Sequence, residues 1–154
     1  MEQREQPVKA IMTKKVMSAD LKTSAMDCAK AMAKGGVSCA VITQAGAPIG
    51  VVTERDLVSK VLADGLDPGG VFAQDIMSTP LITVSEEATI AQAATMMAGY
   101  RIRRLVVVDR FGGMVGIITT GDIARSLAEK HGYRDPKFNA LARYKDGAEE
   151  GPYR

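Results

Sequence analysis

Tryptophan is absent from this 154-residue chain, histidine occurs once, cysteine twice, and aromatic residues make up only 5%. With His131 as the sole histidine and no CxxC or HxxxH spacing, a protein-built metal site is not expected. Two cysteines, Cys28 and Cys39, are too few for the disulfide framework of a secreted chain of this length. Cys28 falls in a helix-like segment and Cys39 in an apolar strand-like one, where each suits a small core position. No apolar run approaches the roughly 20 residues that cross a bilayer. The first residues mix acids and bases rather than leading into an apolar signal segment, so a cytoplasmic location without a membrane partner is the expectation. An excess of one charge is missing too: 20 Lys+Arg stand against 18 Asp+Glu, and the net +2 is spread along the chain. Nucleic acid is therefore not an expected partner. What is present, 46% hydrophobic and 25% charged residues, suits one domain or two very small ones that share a core.

The strongest positive signal is an internal repeat. At an offset of 65, Ala10-Ile11-Met12-Thr13 falls on Asp75-Ile76-Met77-Ser78, and Ala29 to Ala33 falls on Ala94 to Ala98. After one extra residue in the second copy, Gly50-Val51-Val52-Thr53-Glu54-Arg55-Asp56-Leu57 falls on Gly116-Ile117-Ile118-Thr119-Thr120-Gly121-Asp122-Ile123.

Each copy has a short extended lead-in (16–19; 81–84), then a helix opened by Ser24 with Asp27 or by Thr89 with Gln92, spacings that cap a first turn. Gly35-Gly36 and Gly99 are read as the helix ends. Two Val/Ile-rich runs follow, read as hairpins over 40–42 and 49–52, and over 105–108 and 114–118. Their expected loops are Gln44 to Pro48 and Asp109 to Gly113. A second helix closes each copy with Leu57, Val58, Val61 and Leu62, or Ile123, Ala124, Leu127 and Ala128. The reading is an α+β protein of two β-α-β-β-α repeats, 8–64 and 73–130, joined by a linker over 65–72. The two copies are expected to pack sheet to sheet about a pseudo-twofold axis, which makes two equivalent clefts. In the tail, 131–154, Asp135 to Lys145 has the apolar spacing of one short helix, whose stripe would cover this module, a second subunit or an effector protein.

Thr53-x-x-Asp56 and Thr119-x-x-Asp122 each stand where a buried strand turns into a helix. A Thr hydroxyl and the first N–H groups of a helix suit an anion, and a carboxylate three residues on can accept from a vicinal diol. The same spacing is also a plain capping box, and the two roles need not exclude each other. Arg101, Arg103 and Arg104 form the densest positive cluster, at the entry to the 105–108 strand, and strand alternation would send Arg103 and Arg104 to opposite faces. Guanidinium forks bind phosphate, and Arg55 is a further candidate whose counterpart is Gly121. There is no histidine near these motifs, no carboxylate pair for a metal and no activated nucleophile, so the chain is not expected to be an enzyme.

The segments Asp75-Ile76-Met77, Arg103 to Asp109 and Gly116 to Ile123, with the weaker first copy ending in Gly50 to Leu57, resemble a tandem pair of CBS domains, the cystathionine beta-synthase type repeat. The resemblance covers residues 8–130. It implies a homodimerising regulatory module that binds an adenine nucleotide (AMP, ADP or ATP) as a regulatory ligand, with no other cofactor, and passes its ligand state to an effector protein. Asp56 and Asp122 would hold ribose, and Thr53 and Thr119 would reach phosphate. Thr119 and Asp122 would be completed by Thr13, Val37, Ser38 and Cys39, and Thr53 and Asp56 by Ser78, Ile102, Arg103 and Arg104. Where the second repeat has Arg103 and Arg104 the first has Ser38 and Cys39, so the two clefts would differ in charge. A sensor of S-adenosylmethionine-type ligands and a purely structural, dimerising or partner-docking module with empty clefts are the alternatives.

Overall fold

The computed structural model describes residues 5–131, so the helix expected over Asp135 to Lys145 lies outside the described residues. The protein is α+β, with two three-stranded sheets. Its described residues divide into two compact units: Val16–Leu81 forms one, and residues 5–15 join residues 82–131 in the other.

In the Val16–Leu81 unit, β1 (Ser18–Asp20) pairs in parallel with β2 (Cys39–Gln44), and β2 pairs antiparallel with β3 (Ala47–Thr53). Helix α1 (Ala25–Gly35) crosses from β1 to β2; Ser24 Oγ accepts from the Asp27 N–H, and Gly36 closes the helix in the left-handed region at φ 61°. After β3 come the short α2 (Glu54–Leu57) and a π turn over Val58–Leu62, then α3 (Ala73–Ile76). The core joins Cys28 and Met32 of α1 with Ala40, Ile42 and Val52 of the hairpin, and with Val61, Ala73 and Ile76. Burial pushes the Cys28 thiol up from its ordinary pKa, with Asp27 adding to the effect, so the thiol stays protonated as a packing group.

The other unit repeats the order. Strand β4 (Thr83–Ser85) pairs in parallel with β5 (Arg104–Val108), and β5 antiparallel with β6 (Met114–Thr119); α4 (Ile90–Tyr100) and α5 (Thr120–Lys130) complete it. Val8, Val84, Ala93, Met97, Leu105, Val107, Ile118 and Ile123 form its core. Thr89 caps α4 reciprocally: its hydroxyl accepts from the Gln92 N–H at 3.1 Å, and the Gln92 Oε1 accepts from the Thr89 N–H at 2.9 Å. Thr89→Ala is expected to lower the stability of this unit by about 1 kcal/mol, read as a shift in urea midpoint at unchanged slope.

The lead-ins reach back beyond their expected starts, to residues 8–13 and 73–78, and these earlier parts are exchanged between the repeats. The first residues of the first repeat pack on the second: Thr13 and Ile117 exchange both backbone hydrogen bonds, at 2.9 Å each, and Val8 N–H donates to Ala88 O at 2.8 Å. The equivalent segment at the start of the second repeat packs on the first, where Ser78 N–H donates to Val51 O at 2.9 Å and Val51 N–H to Ser78 O at 3.3 Å. Glycine sits under each crossing. A Cβ at Gly116 would stand 2.8 Å from the Thr13 carbonyl oxygen, and one at Gly50 would stand 3.0 Å from that of Ser78.

Several expected details change. The first hairpin turns on Ala45-Gly46 alone, both at positive φ (49° and 82°), the pair of conformations that a two-residue hairpin needs. Pro48 therefore lies inside β3, opposite Thr43, where the register shifts and a strand tolerates a residue with no N–H. Gly99 does not end α4; the helix runs one residue further, and Arg101 caps it in the left-handed region. After α2, the wider π turn takes Val58 and Leu62 out of the apolar stripe and leaves only Val61 buried. Likewise Ala124 and Leu127 of α5 are exposed while Ile123 and Ala128 are buried.

Candidate functional site

At the end of β3 the chain turns from strand to helix at Thr53, whose φ and ψ (-112°, 164°) are those of an extended cap. Asp56 Oδ2 accepts from the Thr53 N–H at 2.8 Å and from the Thr53 hydroxyl at 3.0 Å, while Thr53 Oγ1 accepts from the Asp56 N–H at 3.2 Å. The end of β6 repeats this to within 0.1 Å: Asp122 Oδ2 accepts from Thr119 N–H (2.9 Å) and hydroxyl (3.1 Å), and Thr119 Oγ1 accepts from Asp122 N–H (3.2 Å). Both sequence motifs are thus complete capping boxes. Asp56 and Asp122 are the buried charged residues among those described, at 6% and 5% exposure. Each opens a first helical turn, where a carboxylate is favoured by the helix dipole.

A buried carboxylate needs a partner for its charge, and each has one. Lys60 Nζ lies 2.9 Å from Asp56 Oδ1, and Arg125 Nη2 lies 3.3 Å from Asp122 Oδ1. These cations were not among the residues singled out from sequence. Their spacing, four residues after one aspartate and three after the other, is that of ion pairs on one helix face and could have revealed them. They do not occupy equivalent repeat positions, since Lys60 aligns with Ser126 and Arg125 with Ser59.

A carboxylate offers about four acceptor positions. Oδ2 is filled by the two groups of the threonine, and Oδ1 holds the cation and, among the described residues, keeps one position open. The threonine hydroxyl already donates to Oδ2, so it can give its proton to a phosphate only by leaving the carboxylate.

The remaining expected residues divide between the two units. Ser78 is joined to Val51 beside Thr53; Cys39 faces Thr53 across the hairpin, and Ser38 O accepts from the Glu54 N–H at 3.0 Å. Val37 precedes them, its N–H donating to Met32 O, and Arg55 is exposed on α2. In the other unit Thr13 is joined to Ile117, two residues before Thr119. Ile102 packs against that unit's core. Arg103 stands just before β5 rather than on it, and its carbonyl accepts from the Thr120 N–H at 2.9 Å. Arg104 begins β5 directly opposite Thr119, which puts both side chains on one face of the hairpin. Its Nη1 is buried and has no hydrogen-bond partner among the described residues, an arrangement that favours an acceptor at that atom. Asp109 serves its own loop, its Oδ1 accepting from the N–H groups of Phe111 and Gly113.

No group of metal-ligating side chains occurs among the described residues, and no helix there is long and apolar enough to cross a membrane. The CBS domain model matches residues 8–63 and 73–129. The chain is 43% identical over 101 residues to an uncharacterized protein of Methanopyrus kandleri, covering 65% of this chain and 52% of that one. It is 31% identical over 119 residues to the mitochondrial CBS domain-containing protein CBSX3 of Arabidopsis thaliana, covering 74% and 57%. The chain thus spans a little over half the length of these two relatives. Among solved structures it is similar to the CBS domain pair of protein MJ0100 in complex with 5'-methylthioadenosine and S-adenosyl-L-methionine, with a TM-score of 0.74 and 30% identity over 82% of this chain and 98% of that one. Two matched copies, the doubled strand-to-helix motif and this structural likeness agree: the chain belongs to the CBS domain family.

Proposed function

We propose that the chain is a non-catalytic regulatory module that binds an adenosine nucleotide and changes its affinity for a partner with ligand state. The observation that carries the reading is the doubled Thr–Asp clamp, whose buried carboxylate keeps an acceptor position open on Oδ1. A vicinal diol is a donor that such an oxygen can take. The unpartnered Nη1 of Arg104, with Arg103 beside it, favours a ligand that carries phosphate. The adenosine compounds named with the MJ0100 pair support the nucleoside part of the reading. One ligand is assigned to Thr53, Arg55, Asp56 and Ser78 with Ile102, Arg103 and Arg104; a second, to Thr119, Asp122 and Thr13 with Val37, Ser38 and Cys39. A homodimer and a separate effector protein belong to the same proposal.

A ligand of the S-adenosylmethionine type is the second reading, supported for the ligand assigned to Thr119 and Asp122 because its proposed set has Ser38 and Cys39 where the other set has Arg103 and Arg104. Isothermal titration calorimetry against AMP, ADP, ATP and S-adenosylmethionine separates the two. Micromolar binding of a nucleotide that Asp56→Asn with Asp122→Asn weakens by tenfold or more, about 1.4 kcal/mol, is the expected result. Silence of all four at millimolar concentration would leave the structural, partner-docking role.

A further inference from the structure

Lys60 touches two things at once. Its Nζ lies 2.9 Å from Asp56 Oδ1 and donates to the carbonyl of Ile76 at 2.8 Å. Ile76 is the last residue of α3, where helix carbonyls lack an intrahelical partner. Beyond it, Met77 packs over Gly50, and Ser78 exchanges backbone hydrogen bonds with Val51. One ammonium group therefore ties the carboxylate of the Thr53–Asp56 clamp to the exchanged lead-in segment that ends at Ser78. Lys60 lies within the π turn, where Ala63 N–H donates to Val58 O at 2.8 Å, a five-residue step in place of the usual four.

From this geometry we infer that Lys60 is a clasp that a ligand diol must open. The inference rests on the assignment of Asp56 to a ribose. A diol presents two donors, and Oδ1 has one acceptor position open besides the one that holds Lys60. The first hydroxyl takes the open position; the second displaces the ammonium, because Oδ2 is held by Thr53 through the backbone and the hydroxyl. Losing its anchor on Asp56, Lys60 holds Ile76 with a single, more exposed hydrogen bond. The 77–78 segment then loosens from β3. Lys60 thus acts as a positioning residue: it sets how strongly the clamp discriminates a diol from a single hydroxyl, and it reports occupancy to the lead-in. At the other clamp the cation comes from a non-equivalent position, Arg125, and Ser126, the residue aligned with Lys60, bonds Gln6 instead.

The test uses the full chain with AMP and 2'-deoxy-AMP, at saturation for each. In the unsubstituted protein, amide exchange of the peptide covering Met77 and Ser78 is expected to be several-fold faster with AMP than with 2'-deoxy-AMP. Base and phosphate contacts are common to both ligands and cancel. In Lys60→Met the same peptide is expected to exchange faster without ligand, the difference between the two nucleotides to vanish, and the preference for AMP over its deoxy form to rise about tenfold, as expected from one lost charge-assisted competitor. Lys60→Arg restores both readouts. A Lys60→Met protein that loosens the segment but leaves the AMP preference unchanged would overturn the clasp, since a purely structural tie moves the first readout alone. Equal affinity of the unsubstituted protein for the two nucleotides overturns the ribose assignment itself, and with it the clasp. Clear discrimination with equal exchange overturns only the clasp.

Discussion

Gly116→Val is expected to destabilise the unit built on β4 to β6 by about 3 kcal/mol, near the top of the usual range for overpacking. The space a side chain needs there is filled by another part of the chain: a Cβ would stand 2.7 Å from Met12 Sδ and 2.8 Å from the Thr13 carbonyl oxygen. The thioether can swing away. The carbonyl cannot, because Thr13 and Ile117 are held together by two backbone hydrogen bonds. Relief requires the lead-in to leave β6, which also removes Val8 from the core it completes. Three measurements check this: a lowered urea midpoint, faster amide exchange at Thr13 and Ile117, and earlier tryptic cleavage at the exposed Lys14 and Lys15. Gly116→Ala is expected to show the same pattern at roughly half the size, since alanine lacks the branched methyls. A valine variant with unperturbed exchange at Thr13 would mean that the crossing is not tight.

Asp122→Ala is expected to cost about 2–4 kcal/mol, more than the roughly 1 kcal/mol of a lost cap. The carboxylate receives three groups: the Thr119 N–H, the Thr119 hydroxyl and Arg125. Alanine leaves all three to find other partners. Two of them sit at a strand end beside the buried Ile118, where an unmade hydrogen bond costs about 1–3 kcal/mol. Arg125, 29% exposed, recovers water and adds little. Asp122→Asn keeps an acceptor oxygen for Thr119 while giving up the charge, so it is expected to lose less than half as much. Equilibrium urea unfolding of the two variants side by side reads the difference. If both lose the same amount, the ion pair with Arg125, not the cap, carries the stability.

Much of this architecture was legible because it is local. The repeat, the caps at Ser24, Thr89, Thr53 and Thr119, and the β5–β6 hairpin follow from spacings of a few residues, and each took its expected place. Three features were not legible, for different physical reasons. The exchange of lead-ins is a long-range pairing, Thr13 with Ile117 across more than 100 residues, and no local pattern records it. Pro48 looked like loop because proline breaks ladders; only the register shift opposite Thr43 shows how a strand accommodates it. The apolar run Leu57, Val58, Val61, Leu62 looked like one buried stripe because its spacing assumes an α-helix, and the π turn redistributes it.

The site was legible in part. The aspartates and threonines were found through their doubled spacing, but the counter-cations Lys60 and Arg125 were passed over because they occupy different positions in the two copies. A search for what repeats cannot see them. A search for what each buried carboxylate needs would have.

The measurement that bears most directly on the central claim is the affinity of the unsubstituted protein for AMP against 2'-deoxy-AMP by titration calorimetry. If Asp56 and Asp122 hold the ribose diol, AMP binds several-fold more tightly, the worth of one hydrogen bond to a charged acceptor less the cost of displacing Lys60 at Asp56. Equal affinities would contradict the account, leaving the two carboxylates as helix caps and nothing more.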